Sequence, residues 1–197
     1  MAESLVSAFR SLWTYLWTYV VERIGPLWWG VAIAAGLVTY ALCSAYARRM
    51  GTGRGKALPA GLLVAYATIV VAATVLTRKV GVDRGTNRLI AGGVTNLLLG
   101  GRSNSDIFAN AVMLLPIGFL LPIITGWRFS RTAIVCMAFS VWIETVQYIC
   151  TLGYPELFDV ALNTFGGVVG YGMWLLVVAI RSRGRRGDSP SSPKIAE

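Results

Sequence analysis

The chain has 197 residues, of which 55% are hydrophobic and 14% charged, whereas soluble domains carry about 25% charged residues. Its net charge of +9 would suggest nucleic acid for a soluble protein. The mean hydropathy of +0.62 instead favours a membrane protein with no nucleic-acid partner, whose basic loops meet lipid head groups. The absence of histidine excludes Ser-His-Asp catalysis and removes the commonest metal ligand.

The N-terminal stretch, residues 1–25, is predicted to form an amphipathic helix lying at the membrane interface. Only 11 uncharged residues separate Arg10 from Glu22, which is too few to cross a bilayer. Apolar residues recur here at helical spacing, and tryptophan and tyrosine, which favour the interface, are frequent. Gly25 and Pro26 predict the end of this helix.

Five apolar runs follow, and each is long enough to cross a membrane. They cover residues 24–47, 57–77, 107–127, 132–155 and 159–180. We therefore predict an all-α, polytopic membrane bundle of about five transmembrane helices within residues 26–181, preceded by the interfacial helix. Pro116 and Pro122 predict a kink in the third span. Glu144 is the only charge of the fourth span and lies near its middle.

Two segments do not fit the pattern of spans. The connection at residues 78–106 contains a 13-residue uncharged run, too short to cross, which either dips into the membrane or lies on it. Residues 182–197 are basic and then rich in serine and proline, so a disordered tail is predicted. The cysteines lie far apart in apolar runs, which predicts buried free thiols and neither a disulfide framework nor a metal or cofactor site; they are Cys43, Cys136 and Cys150.

The distribution of basic residues predicts the orientation of the bundle. With five spans, the loops on the side of the C-terminus carry 11 Lys and Arg residues, and the opposite side carries 7. The more basic side is expected to be cytoplasmic, so the C-terminus is predicted to be cytoplasmic. The third span then begins outside, the fourth ends outside and the fifth begins outside.

Polar side chains are concentrated in the middle-to-outer half of these three spans. Ser140, Glu144 and Gln147 are spaced i, i+4 and i+7 and share one face of the fourth helix. Asp159 and Asn163, spaced i and i+4, share a face of the fifth. The sequence therefore predicts that neighbouring helices bring polar groups to similar depth, where they line one pocket that opens outward.

The third span contributes a further amide at this depth, and the fifth carries small residues for close packing. Asn110 lies near the outer end of the third span. Gly166 and Gly170 form a GxxxG pattern, and Gly167 with Gly170 continues the polar face of the fifth helix, so a neighbouring helix is expected to approach closely.

Each polar residue has both a functional and a structural interpretation. A carboxylate at membrane depth is costly, so Glu144 is taken as functional by default. Asp159 lies closer to the interface, where it either partners Glu144 or caps the fifth helix. The two carboxylates are the candidate catalytic groups. The candidate positioning groups, which alternatively join helices as hydrogen-bonding pairs, are Asn110, Ser140, Gln147 and Asn163.

Three ordered blocks resemble the VanZ-like family of bacterial membrane proteins over residues 107–178. They read NAVMLLPIGFLLP, SVWIETVQ and DVALNTFGGVVGY. In the first block Pro116 and Gly118 occupy family positions, and we expect them, with the glycines of the last block, to serve helix packing. The chain departs from the family before the last block, where Gly153 stands in place of an arginine and Glu156 in place of an aspartate.

The resemblance implies a multi-pass protein of the bacterial plasma membrane. The founding member of the family is associated with low-level resistance to teicoplanin, a glycopeptide that acts on cell-wall precursors outside the membrane. Together with the predicted outward pocket, this implies membrane lipids and a lipid-linked or cell-wall component as partners. A non-catalytic small transporter or a membrane scaffold remains the alternative.

Overall fold

The computed structural model describes residues 23–77, 104–150, 152 and 156–187, together with Val6, Arg10 and Thr14. Within these residues the secondary structure is helical, and five stretches are long and apolar enough to cross a membrane. The predicted all-α membrane bundle with five spans is therefore confirmed. The helices are α1 (Arg23–Arg49), α2 (Ala57–Val71), α3 (Asn104–Met113), α4 (Leu115–Thr125), α5 (Phe129–Ile149) and α6 (Leu157–Gly187).

Short segments of other helix types flank α2. A 3₁₀ turn at Arg54–Lys56 leads into it, and a π-helical segment at Ala72–Leu76 continues it. The first span therefore corresponds to α1, the second to α2 with its flanking segments, and the third to α3 and α4 together. The fourth and fifth spans are α5 and α6.

Three predicted segments fall largely outside the described residues. Of the interfacial helix, only Val6, Arg10 and Thr14 are described, and they are helical. Gly25 has φ of +69°, a conformation that glycine adopts readily, so the regular helix starts at Pro26. Most of the connection at 78–106 and the last ten residues also lie outside. However, α6 continues to Gly187, which is six residues into the stretch predicted as a disordered tail.

The third span is interrupted near its middle. Leu114, with φ of −96° and ψ of 2°, separates α3 from α4, and Pro116 is the second residue of α4. A proline cannot donate a backbone hydrogen bond, so the continuous helical ladder is lost there. The Tyr66 hydroxyl donates to the Met113 carbonyl oxygen at this break (2.9 Å). The predicted interruption occurs at Pro116, whereas α4 runs through Pro122.

Helix α6 lies at the centre of the packing and contacts α3, α4 and α5, while α1 and α2 form a hairpin that joins the rest through α2. Backbones approach closely on the side of α6 that faces α3 and α4. A Cβ atom on Gly166 would overlap the carbonyl oxygen of Ala111, and one on Gly170 would overlap that of Leu115. Any larger side chain at either position would push the helices apart.

The side of α6 that faces α5 is equally close-packed. A Cβ atom on Gly167 would lie 2.5 Å from the Cys136 sulfur, and Gly118 of α4 meets the backbone of Gly167. Cys136 belongs to the buried apolar cluster with Leu114, Ile117 and Leu121. All three thiols are free, but the predicted burial is wrong for Cys150, which is exposed, and Cys43 is half-buried.

Candidate functional site

Five helix ends meet at one end of the bundle, where the second span and α5 finish and α1, α3 and α6 start. We call it the polar end, because the predicted polar residues of α5 and α6 gather there. The polar layer consists of five residues, four contributing side chains and the last its backbone carbonyl: Ser140, Glu144, Gln147, Asn163 and Thr74.

The first contact in this layer joins α5 to α6 at its deepest level. The side-chain amide of Asn163 donates to the Ser140 hydroxyl oxygen (2.9 Å), and both residues are at most 1% exposed. The amide oxygen Oδ1 of Asn163 is buried and accepts no hydrogen bond. Reversing the amide would let Ser140 donate instead but would leave the nitrogen unpaired, so one polar atom of Asn163 is unsatisfied in either orientation.

The second contact joins α5 to the end of the second span. Gln147 Nε2 donates to the Thr74 carbonyl oxygen (3.0 Å), one of the last carbonyls of that helix, which lack partners within their own helix. The backbone carbonyl of Gln147 accepts a hydrogen bond from Leu152 N (2.8 Å). Gln147 is 4% exposed, and it ties together the second span, α5 and the turn that follows α5.

The third contact places Glu144 at the start of α6. Its Oε2 atom accepts a hydrogen bond from the backbone N–H of Glu156 (3.1 Å), the residue immediately before α6, and Glu144 is 7% exposed. The partial positive charge of a helix N-terminus attracts a carboxylate. The buried charge of Glu144 is therefore directed at the end of α6 where the peptide dipoles favour it.

The depth of Glu144 differs from the prediction. The fourth span was predicted to run to residue 155, with Glu144 near its middle, but α5 ends at Ile149. Glu144 is thus five residues from the helix end, which corresponds to about 7.5 Å along the axis. The helix ends because Cys150 leaves the helical conformation (φ −83°, ψ 8°) and Leu152 closes the turn. A turn of this kind cannot be predicted from the length of an uncharged run in the sequence.

Asp159 does not cap α6, so that interpretation of the residue is wrong. The helix starts at Leu157, which makes Asp159 its third residue, and Glu156 precedes the helix instead. The backbone carbonyl of Glu156 accepts hydrogen bonds from Asp159 N (3.0 Å) and Val160 N (3.3 Å). Asp159 is half-buried in the first turn, where its charge favours the helix. The backbone of Glu156 thus contacts the Glu144 carboxylate through its N–H and the backbone N–H of Asp159 through its carbonyl oxygen.

Asn110 stands apart from the other candidate residues. It is half-buried on α3, next to Ala111, which meets Gly166 of α6. Within the described part of the chain, its side chain makes no hydrogen bond to the polar layer. The structure therefore brings together the candidates of α5 and α6, and it places Asn110 on the neighbouring helix. Gly153 lies outside the described residues.

Sequence reasoning did not identify three contacts of this region. The Thr74 carbonyl and the Glu156 amide are backbone groups, and no side-chain pattern points to them. Tyr66 is different, because a tyrosine in the middle of an apolar span needs a partner for its hydroxyl when it is buried. That requirement was the available signal for its contact with Met113 at the break of the third span.

The chemistry available to the layer is that of carboxylates, amides and hydroxyls. Among the residues that the structure describes, no three His, Cys, Asp or Glu side chains are grouped closely enough to hold a metal ion. The layer can bind a ligand by hydrogen bonds, and Glu144 and Asp159 are the groups able to exchange protons.

Comparison with known proteins gives a family but no individual relative. No curated protein and no solved structure matches the chain. The family model described as VanZ/LLP1 matches residues 58–178, which is more than half of the chain. The match begins in α2 and therefore includes the helix that supplies the Thr74 carbonyl, as well as all of α3, α4 and α5. The chain belongs to the VanZ-like family.

Proposed function

We propose that this protein binds or modifies a lipid-linked or cell-wall component at the polar end of its bundle, in a pocket that opens to the outside of the bacterial plasma membrane. The link of the VanZ-like family to glycopeptide resistance supports this proposal, because glycopeptides act on cell-wall precursors outside the membrane. Glu144 is the central acid, base or hydrogen-bond acceptor, and Asp159 is its partner. The positioning groups are Asn110, Ser140, Gln147 and Asn163.

The buried carboxylate of Glu144 is the observation that carries the proposal. Joining two helices requires only a neutral hydrogen-bonding group, whereas a buried charge has a desolvation cost of several kcal/mol, to an order of magnitude. In this protein the Glu144 carboxylate accepts a hydrogen bond from the backbone amide of Glu156, the residue immediately before α6. Such a fixed position is what a group that must meet a ligand or a proton requires.

The packing beneath the layer supports a pocket that opens on one side. Cys136 lies one turn of α5 below Ser140 and packs against Gly167, which lies one turn below Asn163. Cys136 and Gly167 are both buried, so the polar layer is closed off from the opposite end of the bundle. A binding site reached from one leaflet fits this arrangement better than a route across the membrane.

The opposite end of the bundle supports the orientation of the pocket. Eight exposed Lys and Arg residues occur there, and basic loops favour the cytoplasmic side. The C-terminus is then cytoplasmic and the polar layer faces outward.

A membrane scaffold is the second candidate, and the hydrogen bonds of the layer favour it. The Ser140–Asn163 and Gln147–Thr74 contacts join α2, α5 and α6 in the manner of interhelical pairs that hold membrane bundles together. In a scaffold, Glu144 serves to position α6, and a neutral glutamine accepts the same hydrogen bond.

Teicoplanin susceptibility separates the two candidates. Wild-type protein, Glu144→Gln and Asp159→Asn are compared at equal expression in a glycopeptide-sensitive host. Thr145→Ala is the matched control, because Thr145 is the next residue on α5, is exposed, and bonds only the Val141 carbonyl of its own helix. The pocket hypothesis predicts that wild type and Thr145→Ala protect the host and that both carboxylate variants do not. Equal protection by all four proteins would exclude an active carboxylate and favour the scaffold.

The orientation is tested by cysteine labelling in a chain whose native Cys150 is replaced by serine. An impermeant maleimide added to whole cells is expected to label Ser105→Cys, and to label Ser189→Cys only after the membrane is opened. Labelling of Ser105→Cys only from the cytoplasm would contradict an outward pocket.

A further inference from the structure

The end of the bundle opposite the polar end has a distinct charge pattern, and we call it the basic end. α1 finishes there, α2 begins there, α4 turns into α5 there, and α6 finishes there. The described acidic residues all lie at the polar end, namely Asp106, Glu144, Glu156 and Asp159. The exposed basic side chains at the basic end are Arg48, Arg49, Arg54, Lys56, Arg128, Arg131, Arg181 and Arg183.

The first turns of the helices that begin at the two ends also differ in charge. Of the three helices that begin at the polar end, α3 and α6 have an aspartate in the first turn, Asp106 and Asp159, whereas α1 has no acidic residue there. α2 and α5 begin at the basic end without an acidic residue in the first turn and without a side-chain cap. Helix N-termini attract negative charge. At the basic end the protein supplies arginine and lysine beside these helix starts, and no anion of its own among the described residues.

The ends of three spans mark the level of the membrane interface at the basic surface. The third span ends at Thr125, the fourth begins at Phe129 and the fifth ends at Arg183. Phe129, the first residue of α5, packs edge-on against Tyr171 of α6 (centroids 5.7 Å apart), and Tyr171 packs against Trp174 (5.2 Å). Aromatic residues are enriched where the hydrocarbon meets the head groups. Arg128 and Arg131, which flank Phe129, therefore lie at the level of lipid phosphates.

We propose that the basic end is a binding surface for anionic phospholipids of its own leaflet, with their phosphates held by Arg128 and Arg131. The charge of the surface is complementary to such head groups, and its exposed arginines come from three separate parts of the chain. A lipid is favoured over a soluble acidic protein because the ends of three spans fix the surface at head-group depth. The site is independent of the polar layer, and a failure of this proposal leaves the proposed function untouched.

The experiment uses the purified full-length protein in nanodiscs that contain equal amounts of phosphatidylcholine and phosphatidylglycerol. Native mass spectrometry measures the ratio of the two lipids that stay bound. Wild type is expected to retain phosphatidylglycerol preferentially. Each removed arginine near the surface is expected to lower this preference about fivefold, so Arg128→Gln/Arg131→Gln lowers it about 25-fold. Arg128→Lys/Arg131→Lys keeps the charge and is the matched control, expected to retain most of the preference.

Three outcomes would overturn the proposal. The first is equal retention of both lipids by wild type. The second is unchanged preference in the glutamine variant, which would place the lipid site elsewhere. The third is competition by inorganic phosphate that removes the preference, which would indicate a site for a free anion rather than for a lipid head group. Because both arginines are exposed, the glutamine variant is expected to fold, and its unfolding temperature in neutral lipid verifies this.

Discussion

Helices α1 and α6 both cross the membrane with glycines at their contacts, but they are held in different ways. α1 packs mainly on α2, where Gly36 meets Gly61, and it lies outside the family match. α6 contacts three helices, and the family match includes it as far as residue 178.

The difference lies in how many neighbouring helices pack closely against each of them. α6 is enclosed by α3 and α4 on one side and by α5 on the other, with glycine contacts in both directions. Its depth and its rotation about its own axis are therefore set by backbone contacts with α3 and α4 and by the close fit of Gly167 against the Cys136 side chain of α5. The helix that carries Asp159 and Asn163 is the most constrained one, whereas α1 is free to shift on a single neighbour.

The largest expected effect comes from breaking the close packing of α6. Gly170→Val places a side chain on the Leu115 carbonyl and near the backbone nitrogen of Phe119, and neither backbone group can move aside. Overpacking of this kind costs about 3 kcal/mol or more. We expect little monodisperse protein by fluorescence-detected size-exclusion chromatography.

Gly172→Val is the control for this variant. Gly172 lies on the same helix, and a Cβ atom there would meet no atom within 4 Å. It is expected to elute and unfold as wild type does. If both variants behave alike, backbone contact does not determine the position of α6.

The features that were predicted correctly from the sequence are those that depend on the order of apolar and polar side chains. Five apolar runs predicted the five spans, and the spacing of Ser140, Glu144 and Gln147 placed them on one buried face of α5. It did not predict where α5 ends, because the turn at Cys150 is a backbone event within an uncharged stretch. That error placed Glu144 too deep in the membrane.

A smaller effect is expected within the polar layer. A double-mutant cycle of Ser140→Ala and Asn163→Ala isolates the hydrogen bond between α5 and α6. Interhelical hydrogen bonds in membranes contribute about 0.6 kcal/mol on average, up to about 1.7 kcal/mol. We expect a coupling of about 1 kcal/mol in reversible unfolding in mixed micelles. A coupling of zero would mean that packing alone joins the two helices.

The smallest effect is expected for a substitution in α1. A Cβ atom on Gly36 would lie 2.9 Å from the Gly61 carbonyl oxygen, a close contact, but α1 has only one main neighbour and can move outward. Gly36→Ala is therefore expected to cost less than about 1 kcal/mol, partly offset by the higher helix propensity of alanine. A loss as large as that of Gly170→Val would show that α1 is as tightly fixed as α6.

Contacts with backbone groups were the other part of the site that the sequence did not reveal. Gln147 was recognised as a polar residue on a buried face, but its partner is the Thr74 carbonyl, 73 residues away. The capping role assigned to Asp159 failed because α6 begins three residues earlier than that role required, at Leu157. Such partners depend on how helix ends are arranged in space, which side-chain order does not encode directly.

The π-helical segment at Ala72–Leu76 makes the length of the second span as important as its composition. Thr77 N donates to the Ala72 carbonyl oxygen (3.0 Å), five residues back, so this turn holds one residue more than an α-helical turn. Deleting Ala73 would restore a regular α-helix and rotate the Thr74 carbonyl by about 100° around the helix axis, away from Gln147. Most apolar substitutions in this span leave that contact in place, whereas a loss of one residue removes it. The contact between Gln147 and Thr74 therefore requires that the second span keep its number of residues during evolution.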